Sequence, residues 1–323
     1  MIIGAMQPTR LPQPVSGPPF SGAVRLADWG VIRAQGADAA TFLHGQLTQD
    51  VLHLDRAQAR LAGYCSVKGR LLASFVLWRS AEDEFMLACS ADLLAASLKR
   101  LSMFVLRAKC KLSDASHEVS LYGVVGAAAA AGLGDSAPRT AWAVDAAGPA
   151  QVIRLPDAMD LPRHLVAQPS SLPPPPGPEL STADWQWLEV RSAVTRIVAA
   201  TADQFVPQMV NLELVGGVDF QKGCYPGQEV VARSQYRGTL KRRAMLFDCD
   251  ALPSPGQEIF HSHDPGQPAG MVANAAPGPG GGFSALVQVK LAAVAQGSLH
   301  LGSADGPLLR PLVLPYAMPA DSP

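Results

Sequence analysis

Charge is scarce in this chain. Only 16% of its 323 residues are Asp, Glu, Lys or Arg, against 48% that are hydrophobic. That balance excludes a globally disordered polymer and supports a sizeable core, arranged as one large or two to three ordinary domains. Neither sign dominates, since the net charge is −1. No global field therefore draws in nucleic acid or an anionic membrane, and an anion site has to come from a local patch. Long apolar runs are missing too. The richest stretch, residues 121–133, is interrupted by Gly123 and Gly126 and falls short of the ~18 residues of a membrane span. The proline-rich residues 1–20 have no apolar run suited to a secretory signal and read as a flexible tail. A soluble, cytoplasmic protein is expected. Cysteine is sparse: Cys65, Cys89, Cys110, Cys224 and Cys249 form no C-x-x-C pair. That excludes a zinc ribbon or a self-contained cluster site and leaves reduced thiols as the default. A full G-x-G-x-x-G is absent, so Gly123 and Gly126 read as strand-to-helix punctuation.

What is present has a mixed pattern. Asp38 is placed to cap a helix carrying Ala39, Phe42, Leu43 and Leu47. Residues 71–78 and 85–88 read as strands around a polar turn, and Leu94, Leu98, Leu101 and Val105 recur at helical spacing. Residues 108–112 alternate with lysines like an edge strand, and 119–125 form a strand before an alanine-rich helix from Ala127. Four consecutive prolines within 170–177 mark a connector. Ser181 and Asp184 then form a capping box for a helix bearing Trp185 and Leu188. Beyond Arg243, short apolar runs at 244–247, 270–273, 285–289, 299–301 and 312–314 alternate with Gly/Pro turns. That pattern predicts a small antiparallel barrel or sandwich.

The informative segment runs from Gln204 to Glu229. Gly223 permits a tight turn or a close backbone approach. Pro226 suits the first position of a helix running from Gly227 to Gln235. Cys224 would then sit just before a helix N-terminus, two residues from Lys222, and both features favour a thiolate. Such a cysteine can be a nucleophile, a redox group or a transient metal ligand, or it can pack as a small hydrophobe. Arg233, Arg237, Lys241, Arg242 and Arg243 follow with no acid between them. They could hold a polyglutamate tail or RNA phosphate, or simply form a solvated turn.

Lys222-Gly-Cys-Tyr-Pro-Gly-Gln-Glu229 resembles the K-G-C-Y-x-G-Q-E signature of the YgfZ family. Residues 204–212 resemble its Q-F-x-P-Q-x-x-N-L, residues 42–51 its G-Q-x-T-x-D-V, residues 65–70 its C-x-x-K-G-[KR] and residues 314–316 its closing L-P-Y. The resemblance spans the chain from about Trp29 onward. It implies an α+β fold of two α+β subdomains over residues 21–240 and a C-terminal antiparallel β-barrel over 241–323, ring-like around a central channel. It implies tetrahydrofolate in that channel and an accessory role in assembly or repair of iron–sulfur clusters, supporting tRNA-thiolating enzymes indirectly. Cys224 and Lys222 carry the chemistry in that reading. Trp29, Trp185, Gln208, Asn211, Tyr225, Gln228 and Glu229 are the expected folate contacts. The family's relationship to the aminomethyltransferase of the glycine cleavage system also suggests folate-dependent one-carbon transfer, and the arginine run suggests weak tRNA contact.

Two departures from the family and its transferase relatives stand out, the first bearing on how folate is held and the second counting against the transferase. Where its relatives carry an E-A-G glutamate that grips the pterin, this chain reads Arg191-Ser-Ala193, and an arginine cannot accept those hydrogen bonds. Glu189 is expected to face elsewhere on its helix and not to substitute. The transferase's catalytic aspartate falls near Ser74, which removes the usual carboxylate for proton transfer.

Overall fold

Two five-stranded antiparallel sheets and a closed six-stranded barrel carry the chain in a computed structural model that describes residues 20–126, 130–134, 137–236 and 240–319. The strands are β1 (Gly22–Arg25), β2 (Trp29–Gln35), β3 (Ala59–Cys65), β4 (Leu71–Ala81), β5 (Glu84–Ser90), β6 (Lys111–Asp114), β7 (Val119–Val125), β8 (Val144–Ala147), β9 (Ala150–Ala158) and β10 (Leu161–Pro169). The first sheet has the order β3-β4-β5-β2-β6 and the second β1-β7-β10-β9-β8. The first strand in sequence thus pairs in the second sheet, which interlocks the two halves from the start of the chain.

Helices α1 (Ala39–His44) and α2 (Ala91–Ser102) pack on the first sheet through Ala39, Phe42, Leu43, Leu93, Leu94 and Leu101. Helix α3 (Thr182–Arg191) begins at Ser181, whose Oγ accepts the Asp184 N–H at 3.0 Å, as the capping pattern requires. It buries Trp185, Trp187, Leu188 and Val190 in a core shared by both sheets and the barrel. Trp187 Nε1 donates to Ser284 Oγ at 2.9 Å, so this helix is bonded to the barrel as well as packed on it. After α4 (Gln228–Tyr236), strands β11 (Arg242–Cys249), β12 (Glu258–His261), β13 (Gly270–Pro277), β14 (Phe283–Lys290), β15 (Leu299–Leu301) and β16 (Leu308–Leu312) close in the order β11-β14-β13-β12-β15-β16.

The helices and hairpins expected in the first half, and the barrel, are present. Strands β1, β2, β3, β8, β9, β10 and β12 were not legible in the sequence, and β16 ends at Leu312, where the expected last run began. Asp38 lies before α1 but does not cap it; its Oδ2 accepts the Lys109 N–H at 2.7 Å instead. Residues 108–110 form turns, so the edge strand starts only at Lys111. The helix expected from Ala127 starts outside the described residues. No described helix is long and apolar enough to cross a membrane.

Candidate functional site

A cavity lies where the two sheets, α3 and the segment after it meet. It encloses roughly 460 Å³ of space, part of it open to solvent, and is walled by Trp29, Phe75, Trp142, Leu61, Val76 and Leu155 with Arg163, Glu189 and Arg196 among its polar groups. That mixture of flat apolar walls with few polar groups is the kind of lining that suits a small organic ligand. Trp29 opens β2, and the Arg196 guanidinium lies 4.9 Å from the centre of its ring. Arg196 is fixed by Asp28, with Nη2 to Oδ2 at 2.6 Å and Nη1 to the main-chain oxygen at 3.1 Å. The Trp29 Nε1 is buried without a hydrogen-bond partner among the described residues. Trp142 holds a left-handed backbone at φ 68°, strained for a bulky residue. Its indole forms wall both here and in an open cleft that shares Leu61 and runs to Asp219, Phe220 and Gln221.

The carboxylate in this cavity is Glu189, contrary to expectation. Residues 189 and 191 lie about 200° apart around a helix, and the cavity is on the Glu189 side. Its Oε2 stands 3.6 Å from Arg196 Nη2. Burial raises its pKa above the ordinary carboxylate range, and Arg196 opposes that rise. Arg191 turns the other way: it lies over Trp187 at 5.4 Å, faces Asp248 at 3.7 Å and lines a neighbouring cleft. It therefore does not block the cavity. Past α3, Ala193 takes φ +54° at the position of the family's glycine and redirects the chain along the cavity as Val194, Thr195 and Arg196. Ser74 also lines the cavity, and its Oγ accepts the Ile197 N–H at 2.9 Å.

Trp185 does not offer a stacking face. It is fully buried, its six-membered ring 2.4 Å from where a Gly123 Cβ would stand, with Arg163 over it at 5.3 Å. Gln208 and Asn211 are buried at the seam between the second half and the barrel. Gln208 Nε2 donates to the Val231 carbonyl at 2.8 Å; Asn211 Nδ2 donates to the Ala244 carbonyl at 2.8 Å and to Tyr316 Oη at 3.1 Å. Glu229 is exposed and pairs with Arg233 one turn on at 2.8 Å. None of Gln208, Asn211, Tyr225, Gln228 and Glu229 lines the cavity.

The signature residues instead tie a structural knot. Lys222 is buried, donates to the carbonyls of His44 and, at 2.7 Å, Leu47, and lies 4.8 Å from the centre of the Tyr225 ring. Burial lowers its pKa to about 8. Gly227 takes φ +79°, and a Cβ there would meet Ser66 O at 2.3 Å, so the turn at 226–227 packs backbone to backbone on the turn at 66–69. Arg70 reaches the Gln204 carbonyl at 3.0 Å. Motifs far apart in sequence thereby converge.

Cys224 is displayed at the outer surface of this knot. It is exposed, whereas Cys65, Cys89 and Cys249 are buried. Burial pushes the Cys65 and Cys89 thiols up to about 12. The expected helix N-terminus is not beside Cys224: the turn at 226–227 intervenes and α4 starts only at Gln228. Nor does Cys224 line the cavity. Its neighbours are the Lys222 amine, whose charge it favours, and, beyond Gly223, the His44 ring, whose Nε2 lies 3.4 Å from where a Gly223 Cβ would stand. His44 Nδ1 is 3.0 Å from Asp50 Oδ1. In the sequence His44 carries no signal beyond its place within the 42–51 motif. The arginine run does not make one patch. Arg243 is buried against Glu213, Arg233 pairs with Glu229, Arg242 is half-buried on β11, Lys241 is exposed, and Arg237 lies outside the described residues.

No protein-family model matches the chain. Among curated proteins, it is 34% identical over 251 residues to the tRNA-modifying protein YgfZ of Edwardsiella ictaluri, covering 73% of this chain and 74% of that one. It is 31% identical to the YgfZ of Sodalis glossinidius over 73% of each chain, and 29% identical to that of Escherichia coli over 73% of this chain and 75% of the other. In fold it is similar to the glycine cleavage system aminomethyltransferase T of Bartonella henselae, with a TM-score of 0.70 at 17% identity, over 90% of this chain and 84% of that one. With the signature knot in place and identity of 34% across nearly three quarters of both chains, this chain belongs to the YgfZ family of tRNA-modifying proteins.

Proposed function

We propose that the protein binds a reduced folate in the cavity and serves, as an accessory factor, the iron–sulfur enzymes that thiolate tRNA. The observation that carries the folate reading is the pairing of a flat indole, Trp29, with a half-buried carboxylate, Glu189, across one cavity. An aminopyrimidine ring presents N–H donors at its edge and a π-face above. A carboxylate accepts the first and an indole stacks on the second. The orphaned Nε1 of Trp29 supplies a further donor for the ligand. Bound folate would contribute one-carbon chemistry at its ring nitrogens; the chain's own part is to hold the ring and exclude water through Phe75, Trp142 and Leu155.

In this reading Cys224 is the thiol that handles a sulfur or metal species delivered from outside. Its exposure suits exchange with a partner protein. The open cleft from Trp142 to Gln221 leads from the folate cavity toward that loop. The ring-like arrangement around a channel is part of the same proposal. A one-carbon transferase is the weaker alternative: Ser74 offers a hydroxyl where that enzyme has a carboxylate. Complementation tests the accessory role. In a strain lacking the gene, the wild-type chain restores thiolated tRNA, whereas Cys224→Ala does not. Full restoration by Cys224→Ala would remove the thiol from the mechanism.

A further inference from the structure

Arg163, on β10, is a buried cation without an ion-pair partner among the described residues. It is 3% exposed and forms part of the cavity wall. Its Nε donates to the Pro156 carbonyl at 3.1 Å. Nη1 is sealed from solvent and has no partner, and Nη2 makes no hydrogen bond to any described residue. Burial draws its pKa down to about 10, and the charge on Glu189 acts against that fall, so the two groups sense one another across the site. Yet the ion pair of Glu189 is with Arg196, which Asp28 already holds. A buried guanidinium left in this state is costly unless an acceptor completes it.

We infer that Arg163 donates to a ring oxygen of the ligand whose N–H groups Glu189 accepts. The cavity is then selective for a flat ring carrying an oxo group next to an amino-bearing edge, the 2-amino-4-oxopyrimidine pattern. The inference rests on the folate reading and goes beyond it, because it assigns the atom by which the site tells one such ring from another. Arg196 is less free to do this, since each of its terminal nitrogens already donates to Asp28. The same edge occurs in pterins and in guanine, and the two sources are separable by experiment.

Calorimetry on the full chain with three ligands decides the matter: tetrahydrofolate, its 2,4-diamino analogue with the oxo group replaced, and guanosine. Arg163→Met should weaken tetrahydrofolate by about tenfold to a hundredfold, the loss expected for a charge-assisted hydrogen bond. The diamino analogue, with no oxygen at that position, should bind the variant as well as or better than it binds wild type. Equal effects on both ligands, or none on either, overturn the inference while leaving folate binding intact. Should the variant not fold, the infrared stretch of an isotope-labelled ring carbonyl bound to wild type replaces it. A frequency at or below that in water supports the inference, and one typical of apolar solvent overturns it. Guanosine bound in preference to tetrahydrofolate, with dependence on Arg163, keeps the inference and overturns the folate reading. Binding of none of the three overturns both.

Discussion

At the scale of single residues, the signature separates into a holder and a displayed group. Lys222 is the holder: its amine joins the carbonyls at the end of α1 to the loop that carries Cys224. Lys222→Met leaves those carbonyls without a donor and should lower the unfolding free energy by about 2–4 kcal/mol, read from urea denaturation. The pH dependence has a definite sign. In the fold this amine titrates at about 8, below its ordinary value of 10.5. The unfolded chain therefore binds more protons through that window, and stability due to Lys222 rises with pH across it. A neutral amine still has two N–H bonds for two carbonyls. The gap between wild type and Lys222→Met should accordingly widen from pH 8 toward 10.5; a gap that narrows would mean that the charge itself makes the contact. Glu189 shows the opposite behaviour, because burial raises an acid's pKa. Folate affinity that depends on its carboxylate should begin to fall at a pH above the usual glutamate range.

At the scale of elements, two glycine turns interlock. Gly227→Ala puts a Cβ at φ +79°, 2.3 Å from Ser66 O and 2.6 Å from Gly69 N. The left-handed backbone and the clash together should cost about 2–5 kcal/mol. Gly148→Ala, at φ +61° with nothing within 4 Å, should cost only about 1–2 kcal/mol. Thermal melts of the two variants test this, and equal losses would show that the interlock carries no weight. The same scale explains what the sequence made legible. β4, β5, β7 and the barrel strands β11 and β14 are apolar runs bounded by turns, and their pattern is plain. β9 and β10 are not: Arg154, Pro156, Arg163 and His164 interrupt the alternation, yet Arg154, Arg163 and His164 are all buried. Strand propensity was masked there by polar residues with separate partners: Arg163 lines the cavity, Arg154 pairs with Asp157 and His164 bonds the Pro138 carbonyl. Helical spacing correctly separated Glu189 from Arg191, but which side faced the cavity depended on the packing of α3 against both sheets. Pro226 looked like a helix start because Gly227, one residue on, gives no sign in sequence that it is held in a left-handed turn. Trp142 and Arg163 carried no signal beyond their residue types.

At the scale of the whole molecule, the family motifs are the seams of the fold. Residues 42–51 meet 216–222 through Thr48 and Gln49, residues 65–70 meet 203–204 through Ser66 and Arg70, and Asn211 meets Ala244 and Tyr316. These seams hold the two sheets and the barrel together, and none of the signature residues 222–229 lines the cavity between the sheets and α3. The resemblance therefore identified the scaffold, and of the folate contacts it implied Trp29 lines the cavity whereas Trp185, Gln208, Asn211, Tyr225, Gln228 and Glu229 do not. In the folate reading proposed here, the groups that would face the ligand are Trp29, Trp142, Glu189 and Arg163, all of which line the cavity. The most direct measurement of this account is calorimetric titration of the full chain with tetrahydrofolate, comparing wild type with Glu189→Gln and Cys224→Ala. One saturable site, weakened about tenfold or more by Glu189→Gln and untouched by Cys224→Ala, is the predicted result. Absence of saturable binding to wild type, or equal binding by Glu189→Gln, would contradict it.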